Sequence, residues 1–420
     1  MRALLIGFIL LFATTALANE QIQDCPESLQ SKADQAYIEY FPLLEQARWM
    51  QTDMALVWGE VRGTNQLHHS RELIDHNFKG VVGPNNDTLY TKATVDVSQG
   101  PVVLTMPEVK GRYGSVLQLD SMHYEVGVDV NKAGRTVWVK SGYTGPIPKH
   151  DRLYRINSDL MYILIRTEVV DNSDVADVHK LQDQMKLVGK VRQAKDIFPP
   201  LDADFVSRAN SLLEGTTLSE ANKKNADCYA SIGILSDAKI DRKILDKAVE
   251  KGQAWMKANE SNLDTAYFNS EENTPKKDHQ EGRAIANYLW HLAFQAKHAD
   301  YPNIEFDSEG KILNGDHVYT MTFNKDMPVN AFWSMTTYIK DTKLFVPNEG
   351  KVYKVGDKTA VLNKDGKTIT ITYSATRPEK TTNWQPTPKG KDFYVGVRLY
   401  EAKKEWLNGS YKLPVPVKIK

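Results

Sequence analysis

Carboxylate and imidazole groups lie around the first β-rich stretch of the sequence, where they could transfer protons. Asp87, Asp120 and His123 are the candidate catalytic residues. A carboxylate and an imidazole can act as general acid and base when both lie within hydrogen-bonding distance of the reacting group. His123 follows Asp120 by three residues, so in a strand the two side chains would point to opposite faces. This spacing disfavours direct cooperation between Asp120 and His123.

A second set of side chains is suited to binding a ligand. The candidate ligand-binding residues are Asn86, Asp87, Arg112, Trp333, Asn383, Trp384, Arg398 and Tyr400. A guanidinium beside an indole can hold a carboxylate or stack on a flat ring. The alternative is structural, because the arginines can pair with Asp87 or Asp120 and the tryptophans can be core residues. Arg398 and Tyr400 alternate with valine and leucine, which predicts that they lie on the face opposite the core.

The turn before the first strand has two interpretations. Gly83-Pro84 precedes Asn85-Asn86-Asp87-Thr88, and Asn and Asp side chains readily bond to the backbone two residues on. These bonds would cap the beginning of a strand. The same amide and carboxylate groups at a sheet end could instead contact a ligand, and both interpretations stay open.

Short stretches of alternating polarity predict the elements that carry these residues. Leu89 to Val97 has the period of a half-buried strand. Further strands are predicted over 102–106, 116–119, 136–140 and 161–167, and later over 318–323, 331–338, 352–355, 368–373 and 393–400. Short strands separated by Gly, Asn and Pro turns favour antiparallel sandwiches.

Helical periodicity separates and precedes the two β-rich regions. An N-terminal helix is predicted over Ser31 to Val61, with Pro42 as a kink. The middle helices are predicted over 175–191, 203–213, 219–232, 241–258 and 282–298. The predicted fold class is therefore α+β, with two antiparallel, jelly-roll-like sandwich domains at 19–173 and 301–420 and a helical segment at 174–300.

Histidines outside the candidate set are assigned structural positions. His291 shares a helix face with Trp290 and Phe294, and a lone histidine there is usually a hydrogen-bonded core or boundary residue. His69 and His76 would be about 10 Å apart along a helix, too far for one zinc ion. A solvated helix end is predicted for this cluster, and no metal or cofactor is predicted.

The first residues predict export. Met1 to Ala18 has a positive start, an apolar run over 4–12 and a small-x-small cleavage site, which is typical of a signal peptide cleaved after Ala18. No later stretch has the roughly 18 consecutive apolar residues of a membrane helix. We therefore expect a periplasmic or secreted protein without a membrane span.

Charge and cysteine content exclude some classes of protein. The 53 basic residues balance the 53 acidic ones, whereas nucleic-acid binding favours a basic face. Cys25 and Cys228 are the two cysteines of the chain; they could form a disulfide or remain two separate thiols, and this choice stays open. Serine-hydrolase elbows, phosphate-binding loops, dinucleotide fingerprints and HExxH zinc motifs do not occur in the sequence.

Several longer motifs resemble a known pair of families. "PNNDTLYTKATVDVSQGPVVLTMP" and "RYGSVLQLD" are similar to the bacterial domain of unknown function 1254. "GKILNGDHVYTMTF", "PVNAFWSMTTY" and "VRLYEA" resemble its usual C-terminal companion, the domain of unknown function 1214. The resemblance implies an exported protein with two sandwich-like parts and helices between them. It brings no established catalytic mechanism.

Three classes of function are compatible with these observations. The first is binding of a small organic or glycan-like ligand in an aromatic and arginine-lined cleft between the sandwiches. The second is a metal-independent hydrolase or lyase that uses Asp87 or Asp120 with His123. The third is a structural or assembly role in the cell envelope, including association with a second copy of the chain.

Overall fold

The computed structural model describes residues 25–55, 63–268 and 279–420. The predicted signal peptide and the end of the predicted first helix, residues 56–61, lie outside the described residues. Within the described residues no helix has the length and apolar character needed to cross a membrane.

The first β-rich region forms two sheets. Its strands are β1 (His68–His69), β2 (Thr88–Asp96), β3 (Val102–Met106), β4 (Gly114–Asp120), β5 (Glu125–Val130), β6 (Gly134–Lys140), β7 (Arg152–Ile156), β8 (Leu160–Glu168) and β9 (Lys186–Val188). One sheet has the order β1-β2-β8-β4-β5, and the other has the order β7-β6-β3-β9. The pairs are antiparallel except β6–β7, which is parallel. The predicted helix over 175–191 is wrong beyond residue 184, because strand β9 follows and pairs with β3.

The period of two in the strands builds a layered arrangement. In β8 the odd residues Met161, Ile163 and Ile165 belong to the core shared with the second sheet. The even residues Leu160, Tyr162 and Leu164 belong instead to the core shared with the helices. Because both faces of β8 are covered, this strand is buried along its whole length.

Helices cover the face of the first sheet that is turned away from the second. They are α1 (Leu29–Ala55), α3 (Phe205–Leu213), α4 (Glu220–Tyr229), α5 (Arg242–Ala258) and α6 (His279–Trp290). Helix α2 (Val175–Gln184) instead packs through Val178 against Leu89 of β2 in a separate cluster. Pro42 lies inside α1, and the helix continues on both sides of it. The last predicted helix was too long, because α6 ends at Trp290 rather than His298.

The second β-rich region also forms two sheets around one core. Its strands are β10 (Ala299–Asp300), β11 (Asn303–Ile304), β12 (Tyr319–Asn324), β13 (Trp333–Ile339), β14 (Val355–Gly356), β15 (Thr368–Ser374), β16 (Trp384–Pro386), β17 (Phe393–Tyr400) and β18 (Val417–Lys418). The orders are β10-β17-β13-β14 and β16-β15-β12-β18, and the one parallel pair among them is β15–β16. A short helix α7 (Lys404–Leu407) follows β17.

Two features of the prediction are settled by the coordinates. Cys25 and Cys228 form a disulfide with their Cα atoms 5.7 Å apart, which ties the segment before α1 to α4. The helix end predicted for the histidine cluster is wrong. His69 and the neighbouring His68 lie in strand β1, where the buried His68 pairs with Lys92 of β2, and His76 lies in a turn after β1 with its Nδ1 2.5 Å from the Tyr353 hydroxyl. The overall fold is mixed α+β with predominantly antiparallel sheets, as predicted.

Candidate functional site

A cavity of about 1010 Å³ lies where the first sheet, helices α1 and α6, and the second β-rich region meet. Tyr90 and Lys92 of β2 form part of its wall, together with Leu164 and Arg166 of β8. Its volume is at the upper end of the range typical of small-molecule sites.

Strand register places these side chains side by side. Tyr90 pairs with Arg166 and Lys92 pairs with Leu164, so the four residues form two adjacent rows on one face of the sheet. Ala93, the residue after Lys92 in β2, points to the opposite face and packs in the core between the two sheets. The alternation that builds the core thus also aims Arg166 at the cavity.

Arg166 is a buried cation without a carboxylate partner among the described residues. Its Nη2 donates to the carbonyl oxygen of Leu292 at 2.8 Å, and its guanidinium lies 3.9 Å from the centre of the Phe294 ring. Its Nη1 is buried and has no hydrogen-bond partner in the described part of the chain. A buried charge normally has a charged partner or several hydrogen bonds, so Arg166 is under-satisfied.

Arg398 brings a second buried guanidinium to the same cavity from β17. Its Nη2 donates to the carbonyl oxygens of Gly83 and Pro84, at 2.9 and 3.1 Å. Its Nη1 likewise has no hydrogen-bond partner among the residues described. The neighbouring Val397 and Leu399 pack in the second core, so Arg398 lies on the opposite face of β17, as the alternation predicted.

Asp87 is the carboxylate nearest to Arg398, but it has several other partners. Ser334 Oγ donates to Asp87 Oδ2 at 2.7 Å, and the Tyr400 hydroxyl donates to the same oxygen at 3.3 Å. Arg398 Nε is 3.9 Å from Oδ2, and Lys354 Nζ is 3.7 Å from Oδ1. Asp87 therefore joins the two β-rich regions inside a buried cluster, and one carboxylate faces two cations there.

Tyrosines connect the two arginines. Burial raises the pKa of the Tyr301 hydroxyl, and the charges of both Arg166 and Arg398 oppose that rise. Burial and the Asp87 carboxylate raise the pKa of Tyr400, which therefore remains a neutral donor. Tyr90 contacts the Arg166 guanidinium, with 5.6 Å between that group and the ring centre. Two positive charges thus lie within one aromatic cluster.

The end of α6 contributes a polar group beside these aromatics. His291 follows the last helical residue, and its Nδ1 is 3.0 Å from Asn287 Oδ1. Burial and the nearby Arg48 charge lower the pKa of His291 to about 3, so the ring is neutral near pH 7. Leu292 has a φ of 66°, an unfavourable angle for leucine, and its carbonyl oxygen accepts the Arg166 bond.

The loop between β1 and β2 lies at the mouth of the cavity. Phe78, Val81 and Val82 line the cavity and are 38 to 41% exposed. Gly83 ends this segment at a φ of 55°, and a Cβ there would lie 2.7 Å from the Trp290 ring. Glycine is therefore required where the loop crosses the aromatic wall.

Of the three candidate catalytic residues, Asp120 and His123 lie in one turn, where the His123 amide donates to the Asp120 carbonyl oxygen at 3.0 Å, whereas Asp87 lies elsewhere. Asp120 ends β4, and its Oδ1 accepts a bond from the Tyr124 backbone amide at 2.9 Å. His123 lies in the turn after the strand, with a φ of 64°, rather than in a strand as the spacing argument assumed. Its ring contacts His291, with the ring centres 4.5 Å apart. Asp87 belongs to the cluster with Ser334, so the structure does not bring the three together.

Three of the candidate ligand-binding residues line the cavity, and Asp87 lies next to them. The three are Asn86, Arg398 and Tyr400. Asn86 is held by a bond from its Nδ2 to the Ile74 carbonyl oxygen at 2.7 Å.

The other candidates have structural partners away from the cavity. Arg112 forms a two-pronged ion pair with Asp174, at 2.7 and 2.9 Å. Trp333 packs in the second core against Phe323. Asn383 bonds to the backbone of Val361, and Trp384 Nε1 donates to the Ser374 carbonyl oxygen at 3.1 Å.

Sequence reasoning missed Arg166 as a site residue, although a signal was present. The predicted strand over 161–167 is apolar apart from this arginine and a threonine, and charged residues are rarely fully buried without a partner. Tyr90 and Trp49 carried no comparable signal, because aromatic residues at strand or helix spacing are usually core residues.

Comparisons with known proteins identify the two halves. Residues 64–189 match the model described as "Protein of unknown function (DUF1254)". Residues 298–404 match the model described as "Protein of unknown function (DUF1214)". No curated protein matches the sequence of this chain.

A solved structure shows that the arrangement of both halves recurs. The VPA0106 protein from Vibrio parahaemolyticus is similar over 94% of this chain and 100% of its own, with 25% identity and a TM-score of 0.76. An uncharacterised protein from Burkholderia cenocepacia aligns over 93% of this chain and 92% of its own, with 13% identity and a TM-score of 0.42, too low to support an argument. The chain therefore combines a DUF1254 domain with a C-terminal DUF1214 domain, two families of unknown function.

Proposed function

We propose that this protein binds a small organic carboxylate in the cavity between α6, the first sheet and β17. The observation that supports it most directly is the pair of buried guanidinium groups, Arg166 and Arg398, each with a nitrogen that lacks a hydrogen-bond partner among the described residues. Both arginines line the same cavity. A carboxylate has the charge and the two oxygens that such donors favour.

The balance of charge at the cavity favours an anion. Other cations of the wall are already paired: Arg48 with Glu45 at 2.7 Å, and Lys92 with Asp53 at 2.6 Å. Arg166 has no such partner among the described residues, and Arg398 shares Asp87 with Lys354. An incoming carboxylate would compensate charge that the described chain leaves uncompensated.

The rest of the wall favours a ligand with a ring or another apolar body. Tyr90, Trp290, Tyr301 and Tyr400 line the cavity near the two arginines. Trp290 and Tyr301 stack with their ring centres 6.1 Å apart. Aromatic faces bind flat rings and the apolar faces of sugars, so aromatic acids and sugar acids are both suitable ligands.

The expected location of the protein fits a binding role. We infer that the chain is exported after cleavage of residues 1–18 and acts in the periplasm or outside the cell. The Cys25–Cys228 disulfide supports this inference, because disulfides persist in oxidising compartments. The jelly-roll arrangement of the two sheet pairs stays a prediction.

The alternative functions have less support. A hydrolase or lyase that uses Asp87 or Asp120 with His123 would need a carboxylate beside the imidazole. Asp87 instead lies in the cluster with Ser334, Asp120 Oδ1 accepts from a backbone amide, and the His123 ring contacts His291. A role in envelope assembly or self-association stays a prediction to be checked by light scattering.

The test compares carboxylates with neutral isosteres of the same shape. Benzoate, dicarboxylates and uronates would be screened by thermal shift and calorimetry beside benzamide and the neutral sugars. We expect carboxylates to stabilise the protein and the neutral partners to have little effect. Arg166→Met should weaken carboxylate binding about 10- to 100-fold, because a hydrogen bond to a charged group contributes about 1.5–3 kcal/mol.

Two further variants test whether the loss of affinity is specific to the Arg166 guanidinium. Arg166→Lys keeps the charge but loses the planar fork, so it should retain part of the affinity. Arg242→Met removes an exposed guanidinium of α5 that pairs with Asp246, and it should bind like the wild type. Equal stabilisation by acids and amides, or full affinity in Arg166→Met, would refute the proposal.

A further inference from the structure

Three aromatic side chains form a column against one end of the same cavity. The Trp49 ring of α1 stacks on His291, with 5.6 Å between ring centres and 13° between ring planes. His123 contacts His291 with its ring centre 4.5 Å away. Trp49 and His291 line the cavity, whereas His123 lies behind them and is buried.

The hydrogen bonds of Asn287 determine which nitrogen of His291 carries the proton. Asn287 Nδ2 donates to the Arg283 carbonyl oxygen at 2.9 Å, so its Oδ1 is the atom that faces His291 Nδ1. An amide oxygen accepts hydrogen bonds only, so Nδ1 of the neutral ring carries the hydrogen. His291 Nε2 is therefore an acceptor with a lone pair.

The Trp49 ring, which stacks on His291, has a second polar atom without a hydrogen-bond partner in the described part of the chain. His291 Nε2 and Trp49 Nε1 are both buried, and neither has a hydrogen-bond partner within the described ranges. An unsatisfied buried polar group costs about 1–3 kcal/mol, so two on stacked rings are a costly arrangement for a purely structural column. A hydroxyl group both donates and accepts, so it can satisfy the imidazole and the indole together.

The sheet gives the spacing between this column and the arginines. Tyr90 contacts Arg166, whereas Lys92 lies 5.6 Å from the centre of the Trp49 ring. Tyr90 and Lys92 are two residues apart on one face of β2. Two residues of a strand span about 7 Å, so Arg166 and Trp49 are separated by about that distance along β2.

We infer that the ligand is a ring-bearing hydroxy acid, whose carboxylate binds at Arg166 and Arg398 and whose hydroxyl binds Trp49 Nε1 and His291 Nε2. This inference rests on the proposed function, because it assigns the other end of the same ligand. Para-substituted hydroxybenzoate has this layout, with a carboxylate and a hydroxyl at opposite ends of a flat ring.

The test uses two probes that differ at one group. 4-Hydroxybenzoate and 4-methylbenzoate have similar size and the same carboxylate, and calorimetry would compare their affinities for the wild-type protein. We expect the hydroxy acid to bind about tenfold more tightly or better, because only it satisfies the buried donor and acceptor. This comparison does not depend on whether any variant folds.

A variant of His291 then tests whether the column causes the difference in affinity between the two probes. His291→Phe keeps a ring of similar shape but removes the acceptor, so the ratio of the affinities for 4-hydroxybenzoate and 4-methylbenzoate should fall to about threefold or less. His150→Phe changes an exposed histidine and should preserve the preference.

The outcomes separate this inference from the proposed function. Equal binding of the two probes would overturn the inference and leave carboxylate binding intact. Binding of other carboxylates but of neither probe would also overturn it. If no carboxylate of the wider panel binds, the proposed function itself is refuted.

Discussion

At the residue scale, the site depends on two arginines whose neighbours differ. Arg398 was among the candidates because the alternation along its strand turned it away from the core, and the structure places it on that face. Arg166 lies in strand β8, which is buried on both faces, so the sequence alone predicts a core position for it. The pairing of Tyr90 with Arg166 is what places both side chains at the cavity.

Asp87 is the residue whose loss should cost most stability. It has one carboxylate between Arg398 and Lys354 and accepts a bond from Ser334. Asp87→Asn would leave two buried cations with less compensation, and breaking such a cluster typically costs about 3–5 kcal/mol. Urea unfolding should therefore show a large drop in the free energy of unfolding.

An exposed aspartate provides the comparison for Asp87. Asp341 is exposed on the surface of the β-rich region that also contains Lys354. Asp341→Asn should change the free energy of unfolding by less than about 0.5 kcal/mol. Similar small changes for both variants would show that the Asp87 cluster contributes little to stability.

At the scale of elements, periodicity predicted the long strands and helices and failed at their ends. The strand over Val102–Met106 was predicted with its observed bounds. The helix expected to reach residue 298 ends at Trp290, because Leu292 adopts a left-handed backbone that turns its carbonyl towards Arg166. That conformation is imposed by tertiary contacts, and local sequence carries no signal for it.

Short edge strands were also beyond prediction. β1 and β10 have two residues each, too few for any period to be recognised. β5 was missed although Val126, Val128 and Val130 alternate with polar residues and glycine, which is the period of a half-buried strand. The parallel pairs β6–β7 and β15–β16 depend on chain crossings, which composition does not reveal.

At the scale of the whole molecule, the two β-rich regions share side chains across their boundary. His298 lies between Glu125 of β5 and Glu401 after β17, with ring nitrogens 3.6 and 3.3 Å from the two carboxylates. Burial alone would lower the pKa of His298, but the two glutamates outweigh it and raise the pKa to about 9. The protonated ring therefore links the two regions through opposite charges.

This link predicts how stability depends on pH. A raised folded-state pKa stabilises the protein fully below the unfolded value near 6.5, and the contribution is lost as the pH rises through about 9. The shift corresponds to about 3 kcal/mol. In urea unfolding between pH 6 and pH 10, the wild-type protein should have a higher free energy of unfolding than His298→Gln at low pH. This difference should disappear as the pH rises through about 9.

The same pH series in the variant supplies the control. His298→Gln keeps a hydrogen-bonding side chain but cannot carry the charge, so its free energy of unfolding should vary less over the same range. Parallel curves for the two proteins would show that the His298 charge does not link the regions.

The most direct measurement for carboxylate binding is a crystal soak with 4-bromobenzoate, located by the anomalous signal of bromine. We predict that the ring lies in the cavity near Tyr90 and Tyr301, with carboxylate oxygens within hydrogen-bonding distance of Arg166 or Arg398. A bromine position outside this cavity, or a carboxylate turned away from both arginines, would contradict the account.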